Sequence, residues 1–175
     1  FGQLRESYKR LKPLHSFANE FSQELCATST YLPEGARKIS PLDQKTLRYA
    51  VRMKDDRGFL FINNFQDHAQ TRLKKDETIV LELSGETIEV GPISLAPDEN
   101  CILPFNMDLN GILLKYALAQ PVTRWTEGGT VCYLFMVPDG MEEGFVFEEG
   151  TVVTEGNHGY GRVYSVVRED KCCSI

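Results

Sequence analysis

Five residues of this chain have the chemistry to meet a ligand: Asn63, Asn64, Phe65, His68 and Trp125. The first three follow directly on Gly58-Phe-Leu-Phe-Ile62, so two amides and an aromatic ring leave an apolar strand together. Side-chain amides both donate and accept hydrogen bonds, and an aromatic ring offers a flat apolar platform. That combination suits the hydroxyls and the apolar face of a sugar ring. His68 follows in the same segment, where a loop on a rigid scaffold can carry function. Trp125, Tyr116, Tyr133 and Tyr160 are further rings able to stack on sugars, although a β core and its rim also use such rings for packing.

Catalytic chemistry finds no comparable grouping, and no residue is assigned a catalytic role. The sequence holds no Gly-x-Ser-x-Gly elbow, phosphate loop or His-Glu-x-x-His, and its histidines are scattered at 15, 68 and 158. Glycoside hydrolysis needs two carboxylates flanking the scissile bond. Asn19-Glu20 has the look of an acid/base dipeptide, but it falls inside a helical pattern, which makes Glu20 a surface helix residue. Gly159-Tyr-Gly161 is too short for a nucleotide fingerprint and reads as a turn.

Metals and cofactors have no framework either, and none is expected. The five cysteines, at 26, 101, 132, 172 and 173, form no Cys-x-x-Cys. Cys26, Cys101 and Cys132 sit among apolar residues and are expected to be buried. Cys172 and Cys173 lie in a polar tail. The final Cys-Cys-Ser-Ile only loosely approximates a prenylation box, because serine occupies an aliphatic position. The acidic residues Glu142, Glu143, Glu148, Glu149 and Glu155 match no calcium loop and read as a solvated surface.

The net charge of −6 argues against nucleic acid as a partner, which requires a clustered basic surface. No apolar stretch approaches the ~18 residues of a membrane span. At 175 residues the chain can bury roughly 70% of its unfolded surface. It opens on Phe1 with no apolar leader, which reads as a trimmed start.

The elements that must position these residues follow from periodicity. Residues 4–26 carry apolar positions every three or four residues (Leu4, Tyr8, Leu11, Leu14, Ala18, Phe21, Leu25), the stripe of an amphipathic helix. Pro13 lacks an amide hydrogen, which predicts a kink or restart near Lys12. Residues 27–45 read as a linker. The period then changes to two. Residues 47–54 and 58–63 form a hairpin around Asp55-Asp56, and residues 79–83 and 87–90 form a second. Further strands are expected at 101–105, 111–118, 130–137, 145–147, 151–153 and 160–167. The segment Asn-Met-Asp-Leu-Asn separates the first two of these, and the apolar run 130–137 is expected to be buried on both faces. The fold class is mainly β: an antiparallel β-sandwich over about 40–170, preceded by one amphipathic helix within 1–30.

These stretches resemble a known family. Leu-Arg-x-x-Tyr-x-x-Leu-x-x-Leu-His-x-Phe (4–17), Leu-Arg-Tyr-Ala-Val-Arg (47–52), Gly-Phe-Leu-Phe-Ile-Asn-Asn-Phe-Gln (58–66), Pro-Phe-Asn-Met-Asp-Leu (104–109) and Leu-Lys-Tyr-Ala-Leu-Ala-Gln-Pro (114–121) occur in that order. The order is similar to glycoside hydrolase family 35, the β-galactosidases, where the catalytic barrel ends and the first β-sandwich begins. In that family Tyr commonly follows the Asn-Asn pair where this chain has Phe65, and Thr often stands where it has Leu118.

The resemblance covers residues 4–121. It implies that residues 1–26 are the closing helix of an upstream catalytic barrel and that the sandwich packs on that barrel, with galactose-containing glycans as ligands of the whole. No residue here matches the family's catalytic glutamates. The expected function is therefore a non-catalytic, accessory β-sandwich of a β-galactosidase-like hydrolase, in a periplasmic or secreted setting by family analogy. Two alternatives stand beside it: a carbohydrate-binding module, and a stand-alone interaction domain that docks through helix 4–26.

Overall fold

A computed structural model describes residue 3, residues 5–158 and residues 161–175. The chain is mainly β. Gly159 and Tyr160, one read within a turn and the other as a stacking ring, lie outside the described residues, as does Leu4. Two helices come first, α1 (Glu6–Glu20) and α2 (Ser22–Ala27). The strands follow as β1 (Ser29–Tyr31), β2 (Arg48–Lys54), β3 (Arg57–Asn63), β4 (Lys74–Glu82) and β5 (Thr87–Leu95). Next come β6 (Asn100–Leu109), β7 (Ile112–Ala117), β8 (Gln120–Glu127), β9 (Thr130–Met136) and β10 (Phe145–Phe147). The last are β11 (Val152–His158), β12 (Gly161–Arg168) and β13 (Lys171–Ser174).

The strands form three sheets. One has the order β1-β2-β3-β6-β7-β10, a second β11-β12-β13-β9-β8, and β4 and β5 pair as a separate ribbon. All pairings are antiparallel except that of β13 with β9.

The six-stranded sheet is covered on both faces, and alternation along β3 shows how. Leu60 and Ile62 join Val51, Cys101, Leu103 and Phe105 in a core closed by Ile79, Leu81, Val90 and Ile93 of the ribbon. Phe59, pointing the other way, packs with Ile102 against Phe17 and Phe21 of the helical segment. A third cluster joins Leu109, Ile112 and Leu114 to Tyr133, Val166 and Cys173 of the five-stranded sheet.

The β2–β3 hairpin turns in two residues. Asp55 and Asp56 both have positive φ, 51° and 59°, the conformation a tight two-residue hairpin demands. Gly58 follows because a Cβ there would stand 1.9 Å from the carbonyl oxygen of Arg52.

Several expectations need correction. Helix α1 continues through Pro13 without a restart, and the break comes at Phe21, just ahead of α2. Only part of the apolar stripe is buried: Phe21 is in the core, joined by Phe17 from beside the stripe, while Tyr8, Leu11 and Leu14 are exposed. Residues 27–45 are not a plain linker. They supply β1, which pairs with β2, and a 3-10 turn over Ala36–Lys38.

Residues 106–109 belong to β6, which turns into β7 through Asn110 and Gly111, both at positive φ. What the sequence registers at 106 is an irregularity. Asn106 has φ 47° in mid-strand, and past it the strand leaves the cluster of Cys101, Leu103 and Phe105 for the one that holds Leu109.

Strand β9 is buried on one face only, through Tyr133, and Leu134 is exposed. Cys26 is exposed and Cys132 half-buried, because only Cys101 of the three occupies a core-facing strand position. Cys173 is buried despite its polar neighbours, because β13 is inserted between β9 and β12. The acidic residues near 143–155 are partly built in. Glu143 pairs with Arg162 and accepts from the Tyr164 hydroxyl, and Glu148 accepts from the Leu113 amide.

Candidate functional site

Strand β3 ends at Asn63, and the chain leaves the sheet beside α1. Asn63 and Asn64 divide the work of shaping that exit. The Asn63 Oδ1 accepts from the Phe65 amide at 2.8 Å and its Nδ2 donates to the Phe65 carbonyl at 3.2 Å, so Asn63 fixes the backbone of Phe65. Asn64 is 4% exposed. Its Nδ2 donates to the carbonyls of Arg72, Leu95 and Ala96 at 2.9, 3.1 and 2.7 Å, tying the exit loop to the end of β5. Its backbone amide donates to the Glu99 carbonyl and its carbonyl accepts from the Asp98 amide. With the Asn64 amide nitrogen spent on the protein, Phe65 is the group this tripeptide offers outward, at 49% exposure.

Phe65 stands at a cleft of about 620 Å³ between α1 and the adjoining ends of β3 and β6. Leu11 and Leu14 form the helical wall, and Phe61, Ile102 and Met136 line the strand side. Asn63 and Asn100 face each other across the β3–β6 pair at the rim. Gln120 also lines the cleft, though it is only 5% exposed. Its Oε1 accepts from the Ile102 amide at 3.0 Å, and its Nε2 donates to no group among the described residues.

One cation and two carboxylates line this cleft. Arg10 lies 3.6 Å from Glu99 and donates to the Asp98 carbonyl at 3.0 Å. The Asp98 carboxylate accepts from Thr71 at 3.0 Å. The cleft thus presents an aromatic ring, aliphatic walls and side-chain amides, beside the Asp98 carboxylate held by a hydroxyl.

His68 and Trp125 stand apart from this arrangement. His68 is almost fully exposed at φ 59°, and its Nε2 lies 3.4 Å from the neighbouring Asp67 carboxylate. Trp125 lies on β8, a strand the periodicity did not reveal. It lines a second cleft of about 510 Å³ on the five-stranded sheet with Tyr133, Leu134, Arg162 and Val163. Its indole nitrogen donates to Glu127 at 3.4 Å. Tyr133 is itself buried, and its phenol is pushed up to about 12 by that burial. The structure therefore groups Asn63, Asn64 and Phe65 and leaves His68 and Trp125 elsewhere.

Glu20 is more than a surface residue. Its carboxylate accepts from Arg124 Nε at 3.0 Å, and Glu24 accepts from the same guanidinium at 3.1 Å. The pair fastens α1 and α2 to β8. Reading residues singly missed Arg10, which α1 brings to the cleft, and Asn100 and Gln120, which β6 and β8 place there. Among the described residues, no group of three or more His, Cys, Asp or Glu side chains could hold a metal ion, and no helix is long and apolar enough to cross a membrane. No family model matches the chain, and comparison with curated proteins finds no match.

Proposed function

We propose that this chain is a non-catalytic β-sandwich module that supports the catalytic barrel of a β-galactosidase-like glycoside hydrolase, in an extracytoplasmic setting. The observation that carries the reading is the divided character of α1. Phe17 is buried in the chain's own core, whereas Tyr8, Leu11 and Leu14 form an exposed apolar strip on the same helix. A helix apolar on two sides suits a segment shared between two packed bodies. The family resemblance of residues 4–121 supplies the second body, a barrel that this helix closes.

The test is turnover of a chromogenic β-galactoside by this chain and by the longer protein that carries it. The proposal expects activity only in the longer protein. In that protein, Leu11→Ser with Leu14→Ser should lower thermal stability while leaving the sandwich folded. Turnover by this chain alone would overturn the reading. If the chain instead self-associates through α1, the same double substitution would convert a dimer to a monomer, and the interaction-domain reading would replace it.

A second reading, carbohydrate binding by the module itself, is favoured by one observation: Phe65 is held outward at a cleft by Asn63.

A further inference from the structure

We propose that the cleft between α1 and the ends of β3 and β6 is a binding site for a neutral pyranose, with Phe65 as its stacking face and Gln120 as a hydrogen-bond donor on its floor. The proposal deepens the carbohydrate-binding reading and rests on it, not on the barrel-support reading.

Size comes first. About 620 Å³ falls within the range of small-molecule sites, which are mostly apolar with a few placed polar groups. One sugar ring or a disaccharide fits such a volume.

The chemistry of the lining narrows the class. A phosphate or carboxylate ligand needs an unpaired cation, and Arg10, the cation lining this cleft, is committed to Glu99 and the Asp98 carbonyl. Beside Ser7 and the Asp98 and Glu99 carboxylates, and with Asn63 committed to Phe65, the amides left to a ligand are Asn100 at the rim and Gln120 below. Amides match hydroxyls in both directions, as donors and as acceptors. A ligand with many hydroxyls and one apolar face uses these amides and the exposed Phe65 ring together. A purely apolar ligand would strand the amides, at a cost for each one left unpaired.

Gln120 is the more telling of these. It lines the cleft, and its Nε2 is not among the sealed side-chain atoms that lack a partner, so the amide donor opens to the cleft. Its Oε1 is anchored by the Ile102 amide, so its orientation is set and Nε2 is the free end. Asn63 serves as a positioning residue, because both of its side-chain atoms hold the Phe65 backbone.

The experiment is an NMR titration of the chain with galactose, glucose and a galactose disaccharide, repeated on three variants. Phe65→Ala removes the stacking face at an exposed position. Gln120→Glu keeps an acceptor for the Ile102 amide and deletes the donor. Trp125→Ala probes the other cleft. The expected result is sugar-dependent shifts at Phe65, Asn100 and Gln120. Binding should weaken about three- to tenfold in Phe65→Ala and stay unchanged in Trp125→Ala.

Should Gln120→Glu fail to fold, Phe65→Ala decides alone. Shifts confined to the Trp125 cleft, abolished by Trp125→Ala, would overturn this site while leaving the carbohydrate-binding reading standing. No shift with any of the sugars at millimolar concentration would overturn both, and would leave the barrel-support reading untouched.

Discussion

Arg124 and Glu20 are 104 residues apart in the chain, yet the Arg124 Nε donates to the Glu20 carboxylate at 3.0 Å. The same guanidinium reaches Glu24 and lies 5.3 Å from the centre of the Phe21 ring. One side chain on β8 thus holds α1, α2 and the residue between them. All three charged groups remain about one-third exposed or more, which limits what their ion pairs contribute. Arg124→Ala is expected to lower stability by about 1 kcal/mol, combining screened ion pairs with a lost cation–π contact. Phe21→Ala should cost about 3–5 kcal/mol, because it opens a cavity beside Phe17 and Phe59. Urea unfolding of both variants measures the contrast.

Adjacent asparagines should respond very differently to truncation. Asn64→Ala leaves the buried Leu95 carbonyl and the partly buried carbonyls of Arg72 and Ala96 without their shared donor and should destabilise by about 3 kcal/mol. Asn63→Ala affects an exposed turn and should cost no more than about 1 kcal/mol. In a chain of this size the first corresponds to a fall in Tm of roughly 6–12 °C. Thermal denaturation followed by circular dichroism checks both.

The loop after the 3-10 turn should loosen in acid. Hydrogen bonds from the Thr46 hydroxyl and from the Lys45 and Thr46 amides lower the Asp43 carboxyl from 3.8 to about 2. A depressed native pKa contributes stability that is complete above the unfolded value. It is lost as pH falls through the native one. The protection of the Lys45 and Thr46 amides, taken relative to intrinsic exchange at each pH, should therefore be unchanged from neutral pH to about 5 and fall between about 4 and 2.

Thiol chemistry should sort the cysteines by position. Burial pushes Cys101 up to about 12 and Cys173 up to about 11, so neither forms thiolate at mild pH. Cys26 and Cys172 are exposed. Titration of the native chain with a disulfide reagent at pH 8 should modify Cys26 and Cys172 first, Cys132 more slowly, and Cys101 and Cys173 only with unfolding. Mass mapping of the labelled peptides checks the order.

The elements legible in the sequence are those whose cause is local. The β2–β3 hairpin is signalled by Asp55-Asp56 and Gly58, where turn geometry itself selects the residues. The β4–β5 ribbon shows through alternation, since Ile79 and Leu81 face the core while Val80 does not. Strand β8 stayed hidden because its buried end, Gln120–Val122, begins with an amide and a proline. Strand β13 stayed hidden because its burial depends on β9 and β12, which lie on either side of it. The helix was found, but its working face was not. Phe17 falls outside the stripe drawn through Leu14 and Ala18, and docking on Phe59 selects it.

The candidate site was legible as a location and not as a set of roles. Two amides and a ring after an apolar run mark a strand exit. That Asn64 is structural and Phe65 outward depends on the carbonyls of Arg72, Leu95 and Ala96, which only the fold brings near. Gln120 carries no local signal at all. It enters the cleft because β8 passes beneath it.

Strand β8 is the end strand of its sheet, pairing with β9 alone, and α1 lies along it. An uncovered strand edge is a template for further strands, and proteins blunt such edges with proline or with a covering element. Here Pro121 carries no amide hydrogen, and α1 packs beside the strand, clamped by Arg124. Loosening the helix thus does more than subtract stability. It takes a neighbour away from an end strand, so variants that release α1 are expected to show concentration-dependent association before they show unfolding.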